Sequence, residues 1–132
     1  MNFKKKILAI DDEPTCLEVI KFSLRSRGFE SIICDNGRTG IEILQSQYKD
    51  IGLILLDIMM PGMSGFETLE HIKSLKDIKN IPVIIQTGTT HSEAVKKYIY
   101  LGFIEEIICK PYNRADITAI VEKVLKRYYA TV

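Results

Sequence analysis

A single parallel β-sheet covered by helices on both faces is the fold class this sequence predicts, and three observations predict it. Five short apolar runs alternate along the chain with segments of helical periodicity. The central run, Leu53-Ile54-Leu55-Leu56, is apolar at every position, which fits a strand buried on both faces. Five strands alternating with five helices leave one sheet joined by right-handed crossovers as the simplest solution. With 132 residues, 46% hydrophobic and 27% charged, one such domain spanning 1–132 is the expectation.

The elements follow in order. Lys6 to Ile10 reads as the first strand, and Asp11-Asp12-Glu13-Pro14 carries the acids and first-turn proline of a helix start. Leu17, Ile20 and Leu24 recur at helical spacing until Gly28, a C-terminal stop. Phe29 to Cys34 is a second, weaker strand, broken by Asp35-Asn36-Gly37, and Ile41, Leu44 and Tyr48 mark the second helix. The central strand stops on Asp57, with Pro61-Gly62 close behind. Phe66, Leu69 and Ile72 carry a third helix to about Lys76. Ile81 to Gln86 is the fourth strand, its Pro82 tolerable near the first position. Thr90 and Glu93 form a capping box for a fourth helix, with Ala94, Tyr98 and Leu101 on one face and Gly102 as its stop. Glu105 to Cys109 is the fifth strand. Asn113 caps the last helix, where Ile117, Ile120, Val121, Val124 and Tyr128 form the clearest amphipathic stripe in the chain.

Composition excludes several classes. A net charge of +1 gives no reason to expect nucleic acid or an anionic membrane as a partner. The basic start, Met1 to Lys6, leads into an apolar run too short for a signal peptide's core, and no run is long enough to span a bilayer, so a cytoplasmic protein is expected. Cys16, Cys34 and Cys109 form no CxxC pair and are odd in number; they read as small buried or half-buried hydrophobes in a reducing compartment.

In an open parallel sheet, ligands bind beyond the carboxyl ends of the strands. Those ends carry Asp11 and Asp12 on strand one, Asp35 on strand two, Asp57 on strand three, Thr87 on strand four and Lys110 on strand five. If strands one and three are neighbours, about 4.8 Å apart, their acids converge, and crowded carboxylates repel unless they share a cation. Mg²⁺ suits such a site, because it takes one or two carboxylates and keeps coordination places for water and phosphate oxygens. A carboxylate beside that ion, faced by an ammonium and a hydroxyl, is suited to accept a phosphoryl group.

The ordered set of Asp11-Asp12, Asp57 followed by Met60-Pro61 and Gly65, Thr87, and Lys110-Pro111 resembles a response-regulator receiver domain, over essentially the whole chain. The resemblance implies a flavodoxin-like strand order 2-1-3-4-5, which the family supplies and the periodicity does not. It also implies that Asp57 accepts a phosphoryl group from a histidine kinase or histidine phosphotransfer protein in a two-component phosphorelay. Asp12, Asp57 and the backbone carbonyl of Met59 would hold Mg²⁺, with Asp11 reaching it through water, while Thr87 and Lys110 bind the phosphoryl oxygens. Such a domain catalyses only its own phosphorylation and dephosphorylation, and its output passes to a downstream protein target through the fourth and fifth helices and fifth strand.

Two positions depart from the family pattern. Receivers commonly carry an aromatic residue three before the lysine, and here that switch position is Ile107. Gly102 stands one residue further from Lys110 than usual, which suggests a bulge or a longer turn before the fifth strand. Phosphorylation chemistry is therefore expected to be intact and signal transmission idiosyncratic.

Simpler readings exist for each residue taken alone. Asp11, Asp12 and Glu13 suit a charged helix start, Lys110 a solvated surface lysine, and Thr87 a strand end without duty. His71 and His91 lack ligand-spaced companions. Cys109 reads as a buried strand cysteine rather than a redox-sensitive thiol, and Lys123, Lys126 and Arg127 as a solvated face. A hydrolase of the haloacid dehalogenase type needs a second acid two residues after the nucleophile, where Met59 stands. A phosphorylation-independent receiver-like interaction module is the stronger alternative, although such modules usually lose an acid, the threonine or the lysine.

Overall fold

The computed structural model describes residues 3–88 and 93–129. Five strands form one parallel sheet: β1 (Lys6–Ile10), β2 (Ser31–Cys34), β3 (Ile51–Asp57), β4 (Val83–Thr87) and β5 (Glu106–Cys109), in the order β2-β1-β3-β4-β5. The helices are α1 (Pro14–Ser26), α2 (Gly37–Gln47), α3 (Gly65–Ser74), α4 (Glu93–Tyr100) and α5 (Arg114–Tyr128), with a 3-10 turn at Tyr48–Asp50 leading into β3. Strand order reverses between β1 and β3, which places a crevice at their carboxyl ends.

The sheet divides the interior into two layers by simple alternation. Leu8, Ile10, Ile54, Leu56, Val83 and Ile85 pack on one side with residues of α2, α3 and α4. Ile7, Ala9, Leu53, Leu55, Ile84 and Ile108 pack on the other with residues of α1 and α5. All seven residues of β3 are buried, as its unbroken apolar run requires. Each fully buried leucine or isoleucine there stabilises the fold by about 1.5–3 kcal/mol relative to an exposed one.

Helix ends follow the chemistry of the sequence. Gly28 and Gly102 adopt positive φ of 82° and 76° as they leave α1 and α4, a conformation glycine takes without a Cβ clash. Asn113 accepts from the Asp116 N–H and completes a capping box at α5, and Ser64 with Glu67 forms another at α3. The Thr90–Glu93 box falls partly outside the described residues.

Several expectations are corrected. α3 ends at Ser74 rather than near Lys76, where a run of turns takes over, and β2 starts at Ser31 because Phe29 turns into the α1/α5 layer. Leu101 lies beyond α4 and is 48% exposed, while Val95 takes the inward place beside Tyr98. On α5 the buried stripe contains Leu125, and Tyr128 is exposed. Cys109 is exposed, because β5 is an edge strand with one open side. The longer Gly102-to-Lys110 spacing is taken up in the turn: β5 pairs with β4 without a register shift.

Candidate functional site

Four of the five strands contribute to one site at the carboxyl edge. Register sets Asp57 of β3 beside Gln86 of β4, and Thr87 beside Cys109, so Lys110 emerges one residue past the pairing. Asp11, Asp57 and Lys110 follow Ala9, Leu55 and Ile108, and strand alternation directs them to the α1/α5 side. The Lys110 Nζ lies 3.0 Å from an Asp11 oxygen, 3.2 Å from Asp57 Oδ2 and 3.2 Å from Glu13 Oε1.

Both buried aspartates are fixed by the backbone two residues on. Asp11 Oδ1 accepts from the Glu13 N–H and Asp57 Oδ1 from the Met59 N–H, each at 2.9 Å. Such local turns leave the second oxygen of each acid free to face the crevice. Asp12 is half-buried and joins Asp11, Glu13 and Asp57 in a group in which one carboxylate oxygen from each residue lies within 4.8 Å of the others. Thr87 is buried at the end of β4, and its carbonyl accepts the Lys110 N–H at 2.8 Å.

The electrostatics are those of charge held in a dry place. Burial raises the Asp57 carboxyl from 3.8 to about 6; the Met59 N–H opposes the shift, Asp11 adds to it and Lys110 counters it. Burial also works against the charge on Lys110, but its hydrogen bond to Asp11 and the charges of Asp11 and Asp57 more than offset this and raise its pKa. A cation among these acids is the condition on which they stay ionised together, and Lys110 supplies one.

Other sequence-predicted residues stand apart. Asp35 is exposed at the edge strand and bonded to Asn36. His71 is exposed on α3, and His91 lies outside the described residues. Lys123 pairs with Glu106 at the start of β5, and Arg127 with Glu106 and with Glu105 just before it, so the basic face of α5 is partly neutralised from within. Ile107 is half-buried at the border of the α2/α3/α4 layer. Aromatic rings gather nearby instead, with Tyr98 stacked between Phe66 at 5.4 Å and Phe103 at 5.8 Å and its hydroxyl donated to Glu70. Glu13, which the sequence assigns only to a helix start, also bonds to Lys110, and its spacing of two from Asp11 is the signal for that place.

Gly65 holds α3 against the acceptor strand. A Cβ at this position would stand 2.1 Å from Ile58 Cα and 2.4 Å from the Asp57 carbonyl oxygen, both backbone atoms that cannot swing away. Gly65→Ala is expected to destabilise the protein by about 3 kcal/mol, a fall in melting midpoint of roughly 10 °C. A midpoint within about 2 °C of the parent would show that the strand end yields freely.

The strand order and the lysine-bridged acids at the switch point define a flavodoxin-like α/β protein with a cation-type site. The chain belongs to the response regulator receiver domain family, whose model matches residues 7–122. It is similar to two-component response regulator ORR5 of Oryza sativa subsp. japonica, 31% identical over 120 residues that cover 91% of this chain and 88% of that protein. A CheY-like response regulator receiver domain protein from Methanospirillum hungatei JF-1 matches with a TM-score of 0.84 at 25% identity, covering 98% of this chain and 100% of that one. The N-terminal domain of a response regulator receiver protein from Methanoculleus marisnigri JR1 matches with a TM-score of 0.73 at 33% identity, covering 91% and 95%.

This is thus a receiver domain of two-component signalling, a class that interacts with histidine kinases and is typically not a true enzyme. The cluster of Asp11, Asp12, Glu13 and Asp57 resembles the phosphorylation site of that family and is typical of its magnesium site. Among the described residues, no helix is long and apolar enough to cross a membrane.

Proposed function

We propose that this chain, as one receiver unit over 1–132, accepts a phosphoryl group on Asp57 from a histidine kinase or histidine phosphotransfer protein of a cytoplasmic phosphorelay. The observation that carries this reading is Asp57 itself: 2% exposed, with one oxygen pinned by the Met59 N–H and the other 3.2 Å from an ammonium. A bond from an Asp57 oxygen to phosphorus forms as the bond from phosphorus to the donor's imidazole nitrogen breaks, and that nitrogen keeps the electron pair.

The donor set fits a hard divalent cation, because four carboxylates offer oxygens within 4.8 Å of one another and no thiol or imidazole is needed. Asp12, Asp57 and the Met59 carbonyl would hold Mg²⁺, and Asp11 would meet it through water. When bound, the ion supplies positive charge beside the transferring group. Lys110 exchanges its contact with Asp57 for one with a phosphoryl oxygen, and Thr87 donates its hydroxyl to another. The changed contacts at Thr87 and Lys110 then bias the α4, β5 and α5 surface toward a downstream protein partner. With Ile107 at the switch position, that bias does not use a ring there.

Incubation with phosphoramidate and Mg²⁺ is expected to add one phosphoryl mass to the wild-type chain and none to Asp57→Asn. Equal modification of both would remove Asp57 as the acceptor. No mass gain with any donor would favour an interaction module that works without phosphate.

A further inference from the structure

Gln86 sits where an aliphatic residue would pack better. It is fully buried on β4, and alternation with Ile84 turns it toward the α1/α5 layer, which is built mainly from leucine, isoleucine and valine side chains. Its Oε1 accepts from the Tyr112 hydroxyl, whereas its Nε2 has no hydrogen-bond partner, alone in that respect among the described buried side chains. An unsatisfied buried amide lowers stability, and groups of that kind concentrate where placement matters more than packing.

The backbone around this pair connects it to both charged partners of the site. The Gln86 carbonyl accepts from the Ile58 N–H at 3.2 Å, one residue past Asp57. The next carbonyl, that of Thr87, accepts from the Lys110 N–H at 2.8 Å. Tyr112 follows Lys110 by two residues, and its ring packs against the α1/α5 layer. The segment from Lys110 to Tyr112 is therefore tied to β4 at both ends, by the lysine's own N–H and by the tyrosine hydroxyl. Between those ties the lysine side chain reaches Asp11 and Asp57.

We infer that Gln86 and Tyr112 are a positioning pair for phosphoryl transfer, their hydrogen bond holding the Lys110 segment where its ammonium meets Asp57 and the incoming phosphoryl oxygens. The inference rests on the reading of Asp57 as acceptor and Lys110 as its partner. Neither Gln86 nor Tyr112 touches the transferring group; both act through Lys110. Without the hydroxyl, Gln86 keeps two unpaired ends, and the segment shifts or the amide rotates to relieve them. Displacements of an ångström at a charge-stabilising group lower rates severely, because transition-state charge is met at one distance only.

The test compares wild type, Tyr112→Phe and the double variant Gln86→Leu with Tyr112→Phe. The maximal phosphorylation rate at saturating phosphoramidate, the Mg²⁺ affinity by titration calorimetry and the melting midpoint are measured for each. Tyr112→Phe is expected to lower the rate about fivefold to twentyfold, with Mg²⁺ affinity unchanged within about twofold. In the double variant no amide is left unpaired, so the midpoint recovers while the rate stays low. A rate that returns together with the midpoint overturns the inference, as does a Tyr112→Phe rate within about twofold of wild type. Should the double variant not fold, the single variant's rate, taken well below its own midpoint, decides alone. A wild-type chain that takes no phosphate overturns the reading of Asp57, and the inference with it, a result distinct from equal rates in both.

Discussion

Lys110→Met is expected to lower the melting midpoint of the metal-free protein at about pH 7.5 by roughly 10 °C. The lysine is 20% exposed at its side chain and bonded to Asp11 and Asp57, which are 0% and 2% exposed. Methionine keeps the stem's volume and removes the charge, leaving two buried carboxylates to repel each other, a loss of about 3 kcal/mol. The pH dependence follows from the same contacts. Without Lys110 the folded-state pKa of Asp57 rises above its present value of about 6, further from the ordinary 3.8. A raised acid contributes stability below its unfolded pKa that is lost as pH rises through its folded pKa. The variant's deficit should therefore shrink to less than half near pH 5, where Asp57 takes up its proton. An equal deficit at both pH values would show that Lys110 stabilises through its stem. The phosphorylation rate with phosphoramidate should fall by about 10²–10³, the loss typical of removing one preorganised charge partner.

Asp57→Asn is expected to act in the opposite direction on stability. In the metal-free wild type, ionised Asp57 costs about 3 kcal/mol at about pH 8, because its folded pKa is near 6 rather than 3.8. Asparagine removes that charge and keeps an oxygen for the Met59 N–H. The variant should melt several degrees above wild type at about pH 8; the gain should shrink as pH falls through about 6 and vanish near pH 4. Millimolar Mg²⁺ should raise the wild-type midpoint and leave the variant's nearly unchanged. Thermal melts across pH with EDTA and with Mg²⁺ separate these effects. A gain that persists undiminished at pH 4 would mean that Asp57's charge is not what destabilises the strand end.

Much of the architecture was legible before any contact was known. The apolar run from Leu53 to Leu56, bounded by Gly52 and Pro61-Gly62, fits a doubly buried strand, and Gly28 and Gly102 stop their helices by a backbone preference that is local. What misled were positions whose fate depends on a neighbour. Leu101 and Tyr128 continue an apolar period yet stand exposed, because their helices' inward faces are set by Val95 and Leu125 against the sheet. Cys109 continues an apolar run and so reads as a buried strand cysteine, and only strand order shows that β5 is an edge. The acids and lysine of the site were legible one by one at their strand ends. Their bridging by a single ammonium was not, since Lys110 Nζ meets Asp11 across 99 residues of chain.

The sequence by itself determined the element types, the helix stops and the set of residues at the strand ends, because propensity, periodicity and turn chemistry act over a few residues. Tertiary structure alone decided that Glu13 joins the lysine, that Gly65 lies against the Asp57 backbone and that the Tyr112 hydroxyl finds the one amide in an aliphatic layer. These are matters of register and distance between segments far apart in the chain. Parallel strand pairing sets them to within an ångström, and no local preference encodes them.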